Sequence, residues 1–124
     1  MKMLLIIGVG GGLGSMARYL SQKAVALYLP ISFPYGTFFV NVVGSLLIGI
    51  FFGISEKANV LSPEVRLFLT TGFCGGFTTF STFALDGLML LRDAQYLYFI
   101  FYVVLSVLLG LAATFAGIAL IKLL

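Results

Sequence analysis

The chain of 124 residues contains no histidine, and its one cysteine is Cys74. An intramolecular disulfide is therefore excluded, and a Cys/His metal site within one chain has too few ligands. Charge is scarce as well: 9% of the residues are Asp, Glu, Lys or Arg, against 61% hydrophobic. Soluble domains carry roughly 25% charged and about 45–50% apolar residues. So few charges do not cover a surface in water, and a lipid bilayer is the expected solvent. The net charge of +3 comes from scattered basic residues. Scatter speaks for membrane anchoring and against a nucleic-acid partner, which calls for a clustered patch.

A spanning helix needs roughly 20 apolar residues. Four such runs use up the chain, and the reading is an all-α membrane protein with helices over about 3–29, 35–54, 64–91 and 95–121. Pro30 and Pro34 separate the first two, because proline breaks a helix interior. Glu56, Lys57, Asn59, Ser62 and Pro63 form a polar loop, with Pro63 suited to a helix start. Arg92-Asp93 makes a short turn, and Lys122 anchors the last run. The expectation is a single four-helix transmembrane domain over 1–124, with no room for an extramembrane enzyme module. Met1-Lys2 and the apolar run after it imitate a signal peptide, with Ala24-Val25-Ala26 as a cleavage site. Arg18, Gln22 and Lys23 interrupt the approach to that site, so the segment is read as a retained helix.

Four helices place both ends of the chain on one side. Lys2, Lys57, Arg66 and Lys122 then lie on that side, and Arg18, Lys23 and Arg92 on the other. The basic-residue bias fixes orientation, and here it is almost nil. Two readings stay open: a weak bias settled during insertion, or insertion both ways.

Small and polar residues at helical spacing mark faces packed against protein, since lipid-facing positions are apolar. Gly10, Gly14, Arg18 and Gln22 recur every four residues in the first helix. Thr37, Asn41, Ser45, Gly49 and Gly53 do so in the second, and Tyr102, Ser106, Gly110 and Thr114 in the fourth. Close packing accounts for the glycines. It does not account for Asn41, because an unpartnered amide in hydrocarbon costs several kcal/mol. Asn41 therefore calls for a buried partner or a ligand. Arg18 either belongs to the packed face or snorkels to the interface. The Gly8–Gly14 run is no nucleotide loop, for it lacks the last glycine of the fingerprint and any surrounding βαβ unit.

The third run is unlike an ordinary spanning helix. Gly75-Gly76 followed by Thr78-Thr79 falls near its middle, where glycine disfavours helix and β-branched threonine is stiff. A break at the midplane would free carbonyl and N–H groups. Such backbone survives only where it is buried in protein or lines a cavity or ion site. Carbonyl oxygens suit a hard cation and helix N-termini an anion. Phe77, Phe80 and Phe83 then recur every three residues, interleaved with Thr79, Ser81 and Thr82. Such a stripe can be plain packing. Ring edges also carry the positive end of the aromatic quadrupole, and with hydroxyls and Asn41 they could replace water around a small anion.

These features resemble the Fluc family of fluoride channels, also called CrcB proteins. The resemblance rests on Gly10–Gly14 with Arg18-Tyr19, on Gly36-Thr37, Val40-Asn41 and Gly44, and above all on Gly72–Phe83. It covers essentially the whole chain. The resemblance implies an antiparallel dual-topology homodimer with two narrow pores and a third helix broken near the midplane. It implies a structural sodium ion at the breaks, held by the backbone carbonyls of Gly75 and Thr78 from both subunits. It makes Phe80 and Phe83 the aromatic box and Asn41 the pore asparagine. A hydroxyl track maps to Tyr102 and Ser106, with Thr37, Ser81 and Thr82 nearby, while Gly110 departs from it by offering no side-chain donor. Arg18 would sit in an aqueous vestibule and attract anions. The family also suggests a multi-pass protein of a bacterial inner membrane.

The reading that results is a passive fluoride-selective channel, not an enzyme, through which cytoplasmic fluoride leaks out. The rival is a small multidrug-type, proton-coupled cation exporter. That chemistry needs a membrane-embedded carboxylate, placed on the first helix in that family. The first helix here has none, and Asp86 in the third is the one candidate.

Overall fold

A computed structural model describes residues 1–58 and 60–124. Asn59, placed above in the polar loop, lies outside the described residues. Within the described residues six α-helices and a π-helical segment follow one another: α1 (Lys2–Tyr28), α2 (Tyr35–Ala58), α3 (Pro63–Leu67), the π segment (Phe68–Cys74), α4 (Gly75–Phe77), α5 (Phe80–Arg92) and α6 (Tyr96–Leu123). Among the described residues four stretches are long and apolar enough to cross a membrane: Lys2–Tyr28, Tyr35–Lys57, Pro63–Arg92 and Tyr96–Leu123. The chain is a multi-pass membrane protein.

Local chemistry sets the ends. Leu29 is extended and closes α1, as a residue before proline prefers. Ser62 caps α3 by accepting from the Val65 N–H at 3.2 Å, with Pro63 in the first turn; a missing N–H costs nothing there. The structure carries α2 on to Ala58, so Glu56 and Lys57 stand in its last turn and not in a loop. Both are good helix formers, and Lys57 Nζ donates to the Ile121 carbonyl at 3.1 Å. Asp93 and Ala94 make the last turn, with Ala94 at φ 56°. Gln95 N–H returns to the Leu90 carbonyl at 2.8 Å, the hydrogen bond of a left-handed helix stop.

The buried apolar side chains are few: Val40, Cys74, Phe77, Leu90 and Tyr102. Leucines and phenylalanines such as Leu4, Leu108, Leu111 and Phe115 lie exposed, as lipid permits and water would not. The helices meet through small residues. A Cβ on Gly117 of α6 would meet the Leu46 carbonyl of α2 at 2.5 Å and the Ile50 nitrogen at 2.8 Å. A Cβ on Gly14 of α1 would strike the Phe73 carbonyl, and one on Gly76 of α4 the Gly11 carbonyl. Backbones this close leave space for hydrogen alone. The small-residue stripes thus seat α6 on α2, and α1 on the third span.

Candidate functional site

The site gathers where α4 ends. Thr78 (φ −88°, ψ 161°) and Thr79 (φ −152°, ψ 119°) are extended between α4 and α5. Two neighbouring spans hold this link. Asn41 of α2 grips the backbone of Thr79 from both sides: its Oδ1 accepts from the Thr79 N–H at 2.8 Å, and its Nδ2 donates to the Thr79 carbonyl at 3.0 Å. The buried partner that Asn41 required is thus main chain. A primary amide carries two N–H donors, so one N–H remains beyond these two bonds. From α1, Arg18 Nε donates to the Gly76 carbonyl at 3.1 Å. Thr78 Oγ1 donates to the Cys74 carbonyl at 2.9 Å. Side chains thus hold both main-chain groups of Thr79, while the Thr78 N–H keeps a helical bond to the Cys74 carbonyl at 3.0 Å.

Thr79 also starts α5. Its Oγ1 accepts from the Thr82 N–H at 3.2 Å and lies 3.2 Å from Thr82 Oγ1 and 3.3 Å from Ser81 Oγ. Three hydroxyls are thereby clustered at a helix N-terminus, where donors outnumber partners.

Phe80 and Phe83 follow within one turn, their rings 5.7 Å apart at 48°. Phe80 is 78% exposed, so it contributes little to the chain's own core. Phe83 meets Tyr102 of α6 at 5.0 Å. Tyr102 is wholly buried, and its hydroxyl donates to Asp86 Oδ2 at 3.1 Å. The loop residue Phe33 packs edge-on against Tyr102 at 5.5 Å. Hydrogen bonds join Asn41, Ser81 and Thr82 through Thr79, ring contacts join Phe80, Phe83 and Tyr102, and the two sets adjoin along the first turn of α5.

Other expected residues stand nearby without joining it. Thr37, one turn before Asn41, is buried and accepts from Gln22 Nε2 at 3.3 Å. Ser106, one turn along α6 from Tyr102, has a buried hydroxyl without a hydrogen-bond partner among the described residues. Gly75 and Thr78 line a cavity of about 330 Å³ on the outside of the chain, together with Asn41, Ser45, Thr79 and Phe80. Gly75 is free of neighbours there: a Cβ on it would meet the Thr70 carbonyl alone, at 3.9 Å. Arg18 Nε is engaged by the Gly76 carbonyl of α4, just before the link.

Four features escaped the sequence. Thr79 is the hub of the site, and no spacing rule gives a backbone grip by Asn41. Gln22 was visible as the fourth member of the α1 stripe, but not as a donor to Thr37. Asp86 stood out as a carboxylate inside a span, with its partner unknown. The π segment before the link had no signal at all, although π-helical turns recur at functional sites.

Among the described residues no three His, Cys, Asp or Glu side chains converge. A cation at the link would have to rest on neutral oxygens, since the polar side chains lining the cavity beside Gly75 and Thr78 are those of Asn41, Ser45, Thr70, Thr78 and Thr79, without a carboxylate. Oxygen donors of this kind suit a hard cation. The missing side chain at Gly75 leaves the main chain open to approach.

Residues 5–118 match the family described as CrcB-like protein, Camphor Resistance (CrcB). A Bacteroides fragilis protein named fluoride-specific ion channel FluC is 58% identical over 120 residues, covering 94% of both chains. Proteins of the same name from Flavobacterium psychrophilum and Chlorobaculum tepidum are 48% and 51% identical, over 98% and 99% of this chain and 98% and 97% of their own. With a family match across nearly the whole chain and relatives of this identity, the chain belongs to the CrcB-like family.

Proposed function

We propose that this protein is a passive, fluoride-selective channel that lets cytoplasmic fluoride out across a bacterial inner membrane, working as an antiparallel dual-topology homodimer. The observation that carries the reading is the cluster of hydroxyls and the pair of phenylalanine rings beside the extended link, in a chain whose near-full-length relatives bear a fluoride-channel name. Fluoride enters cells as neutral hydrogen fluoride when the outside is weakly acidic, and ionises inside. Export then needs a conducting path and the membrane potential, with no catalytic step. The relatives' names give the rival, proton-coupled cation export, no support.

The third transmembrane helix is read as broken at Thr78-Thr79. The path runs past Asn41 and the edges of Phe80 and Phe83, with Ser81, Thr82 and Thr37 beside it, and along α6 past Tyr102 and Ser106. The unpartnered hydroxyl of Ser106 supports this, since a buried polar atom without a partner calls for a reason. Arg18 supplies positive charge to the vestibule. Neutral donors fit conduction, which requires binding strong enough for entry and weak enough for exit.

A second copy supplies what one chain lacks. The cavity beside Gly75 opens on the outside of the chain, where main-chain carbonyls such as those of Gly75 and Thr78 would find no partner in lipid. Two copies facing there would bring together the Gly75 and Thr78 carbonyls of both, enough oxygens to hold a sodium ion. That ion would neutralise the carbonyl dipoles and lock the two links together. Balanced basic residues on the two sides suit insertion in both orientations.

Fluoride efflux from liposomes containing the purified protein alone, followed with a fluoride electrode, tests the function. The expected result is rapid efflux with chloride retained; no efflux from a folded dimer refutes it. Adding several lysines to one terminus should bias insertion and cut activity, and an oppositely biased copy should restore it. Undiminished efflux from chains of one orientation refutes the antiparallel arrangement.

A further inference from the structure

Asp86 is a carboxylate within a membrane-spanning stretch, and such residues are functional by default because they are costly to place. Among the described residues the one ion pair is Lys2–Glu64, at 3.6 Å, so no cation offsets Asp86. It lines two cavities at the loop end of the molecule, of about 320 and 200 Å³, and neither is lined by Lys or Arg. Asp93 shares the larger of them. Its hydrogen-bond partner is Tyr102, whose hydroxyl hydrogen points to Oδ2 at 3.1 Å.

A phenol has one hydrogen to give. While Asp86 holds it, Tyr102 turns oxygen lone pairs, not a donor, toward its remaining surroundings. An anion passing Tyr102 can gain that hydrogen only by taking it from the carboxylate. The same bond fixes the tyrosine ring, which packs against Phe83 at 5.0 Å. The loop end of the group is therefore weaker in donors than a count of hydroxyls suggests.

We propose that Asp86 is a positioning residue that withholds the Tyr102 hydroxyl hydrogen from the anion, so that fluoride is bound loosely at the loop end and leaves quickly. The proposal rests on the channel reading above. Loose binding at a mouth of the path, entrance or exit according to the chain's orientation, is what conduction requires, and hydrogen-bond competition achieves it without removing the polar side chain.

The test measures how fluoride efflux from liposomes saturates with fluoride concentration. In Asp86→Ala the hydroxyl is released to the ion. The half-saturating concentration should fall about three- to tenfold, the value of one neutral hydrogen bond, with a lower maximal rate. In a Tyr102→Phe background the same substitution should produce no such fall, because no hydroxyl is left to release. An unchanged half-saturating concentration in Asp86→Ala overturns the proposal. So does an equal fall in both backgrounds, which would assign the effect to charge alone. If Asp86→Ala does not yield a folded dimer, Asp86→Asn decides, since it keeps the size and an oxygen acceptor of reduced strength. It should lower the half-saturating concentration about twofold or more, and no change refutes the idea. A wild-type protein that passes no fluoride would instead refute the channel reading, a result distinct from any of these.

Discussion

Substituting alanine for Gly75 separates what one chain needs from what two chains need. Gly75 sits at φ −61° and ψ −38°, ordinary helical angles. A Cβ there would touch nothing closer than the Thr70 carbonyl at 3.9 Å. Alanine in a helix is favoured over glycine by about 0.8–1.0 kcal/mol. Within one chain, Gly75→Ala should therefore be neutral or stabilising by up to about 1 kcal/mol. Gly76, its neighbour, is the opposite case, for a Cβ there strikes the Gly11 carbonyl of α1. In the proposed dimer the open space at Gly75 is filled by the second copy and the cation. Overpacking costs about 1–3 kcal/mol per site, and symmetry counts it twice. At about 1.4 kcal/mol per factor of ten, the dimer would weaken about 30- to 20,000-fold. Light scattering in detergent, circular dichroism and fluoride efflux are the assays. Gly75→Ala should keep its helix content while losing dimer and flux, and Gly76→Ala should lose the fold of the single chain. A Gly75→Ala protein that dimerises and conducts like the parent would show that lipid alone fills that space. The reasoning about a second copy and a cation would then fail.

Phe80→Ile and Phe83→Ile should each cut fluoride efflux sharply with the size-exclusion profile intact, because Phe80 is 78% exposed and supports little of the chain's own core; normal flux in both would reduce the ring pair to packing. Asn41→Asp replaces the donor to the Thr79 carbonyl by an acceptor, an unsatisfied contact worth about 1–3 kcal/mol, and an ionised Asp adds like charge on the path. It should abolish efflux and lower the thermal midpoint, and wild-type behaviour in both measurements would exclude the grip on Thr79. Ala94→Gly should raise the thermal midpoint, because the left-handed φ of 56° costs an L-residue about 1–2 kcal/mol that glycine does not bear; an unmoved midpoint would argue against a left-handed turn.

The sequence by itself determined what depends on composition and on short-range spacing. Runs of apolar residues long enough for a bilayer gave four spans, because the hydrocarbon thickness sets helix length. Stripes of small residues every four positions marked the packed faces, since close backbone approach admits no larger side chain; Gly10, Gly14 and Gly49 behave in this way. The crowding of Gly75, Gly76, Thr78 and Thr79 announced an unusual backbone, a local preference of those four residues.

What the tertiary structure decided is which groups pair. Asn41 and Thr79 lie 38 positions apart, and Arg18 and Gly76 lie 58 apart. Their bonds depend on the angle and height at which α1, α2 and the third span cross. Asn41 read as a residue in need of a partner, and only packing decided that a backbone amide meets it. Asp86 likewise read as an isolated carboxylate until α6 placed Tyr102 beside it. The π segment at Phe68–Cys74 has no residue signature, because it lies where α1 approaches the chain backbone to backbone at Gly10 and Gly72. Spacing along a chain fixes which side chains share a face. A hydrogen bond forms over about 3 Å, and that distance between separate helices is set by every contact that seats them.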